Sequence, residues 1–109
     1  MRSLSWLLVL LLAATIINYP NPFNPKGGDI TTFECTPTET SEAFLYIYDM
    51  SARLVQRIAF NLQGGAINRT SWDGYSNQNQ LVGNSIYLYQ LIENSRNRIG
   101  KGKIWVINK

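Results

Sequence analysis

The stretch Asn18-Tyr19-Pro20-Asn21-Pro22-Phe23-Asn24-Pro25 restricts this chain more than any other part of it. Each proline fixes its own φ and pushes the residue before it toward extended or polyproline backbone, so no helix passes through. A proline also lacks the N–H that a sheet ladder needs. That confines the run to a sheet edge or the start of a strand. Taken alone, the segment also leaves room for a plainer reading, a proline-rich linker.

The rest of the chain favours one small β domain. Its 109 residues have room for a single core. With 45% hydrophobic and 16% charged residues, the composition argues against disorder. Six tyrosines, four phenylalanines and three tryptophans favour strands over helices. Strands are expected at residues 15–18, 30–35, 43–48, 54–60, 67–72, 86–92 and 98–107, separated by turn chemistry. By the two-residue period, Thr31, Phe33 and Cys35 share one face. Ala43, Leu45 and Ile47 are expected to point inward and Phe44, Tyr46 and Tyr48 outward, the tyrosines partly covered at their rings and wet at their hydroxyls. The expected inward set is Phe33, Leu45, Ile47, Val55, Leu88 and either Ile104 or Trp105. The spacing describes an all-β, antiparallel Ig-like sandwich of about seven strands. A short turn at Asp49 to Ala52 makes one hairpin, and Asn94-Ser95-Arg96-Asn97 joins the last two strands.

After the proline run come Ala43-Phe44-Leu45-Tyr46-Ile47-Tyr48-Asp49 and, after Met50-Ser51, Ala52-Arg53-Leu54-Val55. Trp72-Asp73-Gly74 follows, then the stretch from Asn79 to Tyr89, and last the lysine-flanked strand from Lys101 to Lys109. In this order they resemble the C-terminal sorting domains of the type IX secretion system, whose motifs run V-x-L-x-I-Y-D, G-R-x-V, W-D-G, G-x-x-V-x-x-G-x-Y-x-Y and a lysine-flanked final strand. They are also similar to the Ig-like domain family named after the flagellar hook-capping protein FlgD. The resemblance implies a noncatalytic exported module for C-terminal secretion targeting or surface anchoring. Its implied partners are a secretion translocon and an upstream cargo protein. Two other classes stand beside this reading: an extracellular adhesion or carbohydrate-binding accessory module, and an Ig-like structural subunit such as a flagellar hook cap. The sequence departs from the family at three glycine positions, which hold Ala52, Asn79 and Ser85. Asparagine tolerates positive φ, whereas alanine and serine there cost about 1 kcal/mol each.

At the N-terminus, Arg2 precedes the apolar run from Trp6 to Ala14, the layout of a secretory signal peptide. Residues 1–14 are therefore read as a leader and 15–109 as the domain. Spanning a bilayer takes about 20 apolar residues, so no stable membrane span is expected. The implied route is export through the periplasm to the cell surface or beyond. Leu12 is a poor residue for cleavage after Ala14. In a second reading, part of the run is an ordinary first strand of a longer protein.

Chemistry is sparse. There is no histidine, which excludes triads and histidine-based acid–base or metal sites. Asp49 and Asp73 sit at strand ends, where a carboxylate caps backbone amides more readily than it binds calcium without an acidic loop. Gly27-Gly28 and Gly64-Gly65 lack the lysine and helix of a phosphate loop. No enzyme activity, cofactor or metal is expected. A formal charge of +3 is too small to imply nucleic acid. Cys35 reads as a small buried hydrophobe. Arg96, Arg98, Lys101, Lys103 and Lys109 form the candidate recognition surface. They also suit a plainer role, guarding a sheet edge against pairing with other chains. Trp72 and Tyr75 offer a glycan contact, or Trp72 closes one end of the sandwich.

Overall fold

Alternation of apolar and polar side chains builds seven strands in this computed structural model, which describes residues 15–109. The leader expected over residues 1–14 lies outside the described residues. The strands are β1 (Ile16–Tyr19), β2 (Thr31–Cys35), β3 (Ala43–Tyr48), β4 (Leu54–Ala59), β5 (Asn68–Trp72), β6 (Ser85–Glu93) and β7 (Arg98–Val106). A three-stranded sheet in the order β1-β2-β5 faces a four-stranded sheet in the order β4-β3-β6-β7, with every pairing antiparallel. This is a β-sandwich with Ig-like strand order. The one helical element among the described residues is a 3-10 turn at Pro25–Gly27. Among them, too, no helix is long and apolar enough to cross a membrane.

The core lies between the sheets. Phe33, Leu45, Ile47, Leu91 and Ile104 are each 0% exposed, and each contributes roughly 1.5–3 kcal/mol by leaving water. Thr31 and Cys35 join Phe33 on its inward face, as the period requires. The Phe33 ring meets Tyr89 edge-on, with centroids 5.0 Å apart. Val55 is half-buried against this core. Of the alternatives at the end, Ile104 faces in and Trp105 is 50% exposed.

Leu88 does not belong to the inward set. On β6 the buried residues are Tyr87, Tyr89 and Leu91, so Leu88 lies on the opposite face. Apolar rank suggested the wrong parity, because room for the aromatic ring is made on the neighbouring strand. Tyr89 lies over Gly102 of β7, where any Cβ would strike the ring. Tyr87 places its hydroxyl 2.8 Å from the Gly83 carbonyl, to which it donates. Burial pushes both phenols above the ordinary tyrosine range, Tyr87 with help from the charge of Asp49.

Three turns share one hydrogen-bond pattern. The Asp49 N–H reaches the Arg53 carbonyl and the Ala52 N–H returns to Asp49; Ser76 with Gln80 and Asn79, and Glu93 with Asn97 and Arg96, repeat this. Each is a three-residue loop whose last residue is left-handed, with φ of 65° at Ala52, 60° at Asn79 and 70° at Arg96. Two of the expected positive-φ sites are thus present, and Arg96 is a third that the sequence did not disclose. Ser85 is a correction. It starts β6 outside the positive-φ set, so a serine there carries no such strain. The Asp49 carboxylate accepts from the N–H groups of Ser51 and Arg53, and the Asp73 carboxylate from that of Tyr75. Both aspartates act as caps. The Arg53 N–H above all, then that of Ser51 and the Arg53 charge, hold the Asp49 carboxyl below its usual value.

The proline run clasps the last strand. Phe23 donates to the Trp105 carbonyl and accepts from Ile107, both at 3.0 Å, in a parallel bridge. The Asn21 amide imitates a backbone: its Nδ2 donates to the Lys103 carbonyl at 2.7 Å and its Oδ1 accepts from the Trp105 N–H at 2.8 Å. Prolines at 20 and 22 sit where no N–H is called for. Pro25 is buried against Gly74, whose φ of 83° and contact with the Pro25 ring both exclude a side chain. The end of the chain is held as well. Asn24 Oδ1 accepts from the Lys109 N–H, and Asn108 bonds to Asn84, Val82 and Lys26.

Candidate docking face

The outer face of the four-stranded sheet is where exposed chemistry concentrates. Residues of even register on β3 turn away from the core and fall into cross-strand rows. One row runs Arg57–Tyr46–Gln90–Lys101, the next Leu54–Tyr48–Leu88–Lys103, with Phe44–Ile92–Arg98 above and Ile86–Trp105 below. Phe44, Tyr46 and Tyr48 form an aromatic ladder along β3, with successive centroids 6.3 Å apart. The Arg57 guanidinium lies 4.4 Å above the Phe44 ring, a cation–π contact that also shields that ring face. Tyr46 and Tyr48 are inclined by only 15°, so their ring faces turn toward each other. Between β6 and β7 runs an open groove of about 350 Å³, lined by Leu88, Gln90, Arg98, Lys101 and Lys103 among others.

The five basic residues singled out in the sequence are divided by the fold. Arg98, Lys101 and Lys103 share the outer face of β7. Arg96 sits at the tip of the β6–β7 hairpin, and Lys109 lies past the other end of the strand. Arg57, missed in the sequence, joins the first three because strand pairing sets it opposite Tyr46. The strand residues of this face include four cations and no carboxylate, in a chain whose formal net charge is +3.

The opposite face differs. On the three-stranded sheet, Glu34 accepts from Tyr19 at 3.0 Å and from Arg69 at 2.9 Å, leaving a self-satisfied polar patch. Trp72 is 2% exposed, packed between Phe23 and Tyr87, and its Nε1 donates to the Tyr75 carbonyl at 2.8 Å. Its ring closes an end of the sandwich and presents no open face to a sugar; Tyr75 stays partly exposed. Cys35 is buried, and burial pushes its thiol above the ordinary range. Among the described residues no three histidine, cysteine or carboxylate side chains gather as a metal site.

Fold and surface together define a small Ig-like β-sandwich with one cationic, aromatic face. Solved structures share this fold. A dimeric latent PorU from Porphyromonas gingivalis matches 88% of this chain at 26% identity and TM-score 0.74. PorZ, an essential surface component of the type IX secretion system of the same bacterium, matches 85% at 18% identity and TM-score 0.59. FlgD from P. aeruginosa matches 84% at 15% identity and TM-score 0.61. At their identities the last two share the fold alone. The chain spans 9% of the PorU chain, 11% of PorZ and 70% of FlgD. No family model matches the sequence, and no curated protein is significantly similar to it.

Proposed function

We propose that this domain is a noncatalytic, exported module that acts as a C-terminal secretion-targeting or surface-anchoring domain. Its partners are then a secretion translocon and a cargo protein, and its route leads through the periplasm to the cell surface. The observation that carries the reading is the similarity to PorU, which extends over 88% of the chain at 26% identity. The proline run and the lysine-flanked last strand, far apart in sequence, support it by forming one structural unit. Arg98, Lys101 and Lys103 are its recognition surface, with Arg96 and Lys109 at the two ends.

The test is a fusion of residues 15–109 behind a signal peptide and a fluorescent cargo, expressed in a host with a type IX system. Cargo should reach the cell surface, whereas cargo without the domain should stay in the periplasm. A folded fusion that remains periplasmic would refute targeting. Deleting Lys101 to Lys109 is a poor control. It would remove the buried side chains of Ile104 and Val106 and the groups that Asn21 and Phe23 bind, so loss of export would report unfolding.

A further inference from the structure

The rings on the outer face of the four-stranded sheet are already occupied with one another. Arg57 covers Phe44, and Tyr46 lies against Tyr48. Sugars and nucleobases are recognised by stacking on free ring faces, and this ladder offers few. What stands beside these rings on the same face is the ammonium groups of Lys101 and Lys103 and the guanidinium of Arg98. Those are donors, and they suit carboxylates. Trp105, half exposed at the lower row, and the groove lined by Leu88 add apolar surface next to the charges. Tyrosine, tryptophan and arginine around an apolar centre are the residue types that dominate protein–protein interfaces.

We infer that this face is a docking surface for an acidic polypeptide, in which carboxylates meet Lys101, Lys103 and Arg98 while apolar side chains settle along Leu88 and Trp105. Charge complementarity selects the partner: the face carries Arg57, Arg98, Lys101 and Lys103 and no strand carboxylate. Acids flanking the strands already have partners: Asp49 is engaged with Arg53, Glu93 accepts from Ser95 and Ser41, and Glu42 accepts from Asn94. The clasp of Asn21 and Phe23 hydrogen-bonds the free edge of β7 from Lys103 to Ile107, beside the lysine rows. The inference rests on reading the domain as a docking module. It is tested in solution, so its failure is distinct from a failure of export.

The experiment titrates the 109-residue chain with a random glutamate–tyrosine copolymer at physiological salt. Binding is followed by calorimetry, and the footprint by amide chemical shifts. Phosphatidylglycerol vesicles and an oligothymidylate serve as the competing anions. Saturable binding of the copolymer is expected, with shifts confined to the rows of Tyr46, Tyr48, Lys101, Lys103 and Trp105. Lys101→Glu with Lys103→Glu should weaken it by at least tenfold with an unchanged melting temperature, whereas Arg69→Glu on the opposite sheet should change it less than twofold. Absence of saturable binding would overturn the inference. So would equal loss on Arg69→Glu, or tighter binding to vesicles or oligothymidylate through the same residues.

Discussion

Replacing Ala52 by glycine should stabilise the domain, and the turn geometry gives the size. Ala52 has φ of 65° in an exposed three-residue loop, with its N–H bonded to the Asp49 carbonyl at 3.0 Å. A Cβ in left-handed backbone costs about 1–2 kcal/mol. Glycine removes that cost but frees the unfolded chain, which returns about 0.4–1 kcal/mol. The net gain is therefore about 0.5–1 kcal/mol, or roughly 3–6 °C in melting temperature for a domain of this size. Arg96 occupies the same position in its own turn, at φ 70°, and Arg96→Gly should behave alike. Asn79→Gly should change little, because asparagine already tolerates the conformation. Ser85→Gly should destabilise by about 0.5–1 kcal/mol, since it adds freedom to a strand and relieves nothing. Thermal melts by far-UV circular dichroism, with urea titrations for free energy, measure all four. If Ala52→Gly and Ser85→Gly shift stability in the same direction, the strain argument fails.

Other perturbations test the packing and the caps. Asn21→Ala should cost about 1–2 kcal/mol by urea titration, as two hydrogen bonds to Lys103 and Trp105 are lost. Leu91→Ala, at a 0% exposed site, should cost about 2–5 kcal/mol. Leu88→Ala, on the half-buried outer face, should cost well under half as much, and equal costs would refute the register of β6. The Asp49 carboxyl is held below its ordinary value of 3.8, so its contribution to stability is complete above that pH and falls away as the pH drops through the lower folded-state value. Asp49→Asn should therefore flatten the acid limb of a stability–pH curve.

The architecture was legible wherever the two-residue period met turn chemistry. Thr31, Phe33 and Cys35, and Ala43, Leu45 and Ile47, face inward as their alternation says, because the strands pair antiparallel around one core. Parity on β6 was not legible. There both parities offer large apolar residues, Ile86, Leu88 and Ile92 against Tyr87, Tyr89 and Leu91, and Gly102 on another strand makes room for Tyr89. The proline run was rightly placed at a sheet edge. That its partner would be the last strand follows from Asn21 acting as a substitute backbone, which no local pattern reveals. The face itself was half visible. Outward Phe44, Tyr46 and Tyr48 and the basic cluster were each read from the sequence, but only strand register sets Lys101 level with Tyr46 and brings in Arg57. Arg96 and Lys109 fall outside those rows for the same reason.

The measurement that bears most directly on the targeting account is the fraction of fused cargo open to protease on intact cells. It compares the native domain with the Lys101→Glu, Lys103→Glu variant. Both lysines are exposed, so the variant should fold and melt like the native domain. The account predicts native cargo at the surface and variant cargo in the periplasm, each attached to a folded domain. Equal surface exposure of the two would show that the basic face is not what the export machinery reads. Periplasmic retention of both would contradict targeting altogether.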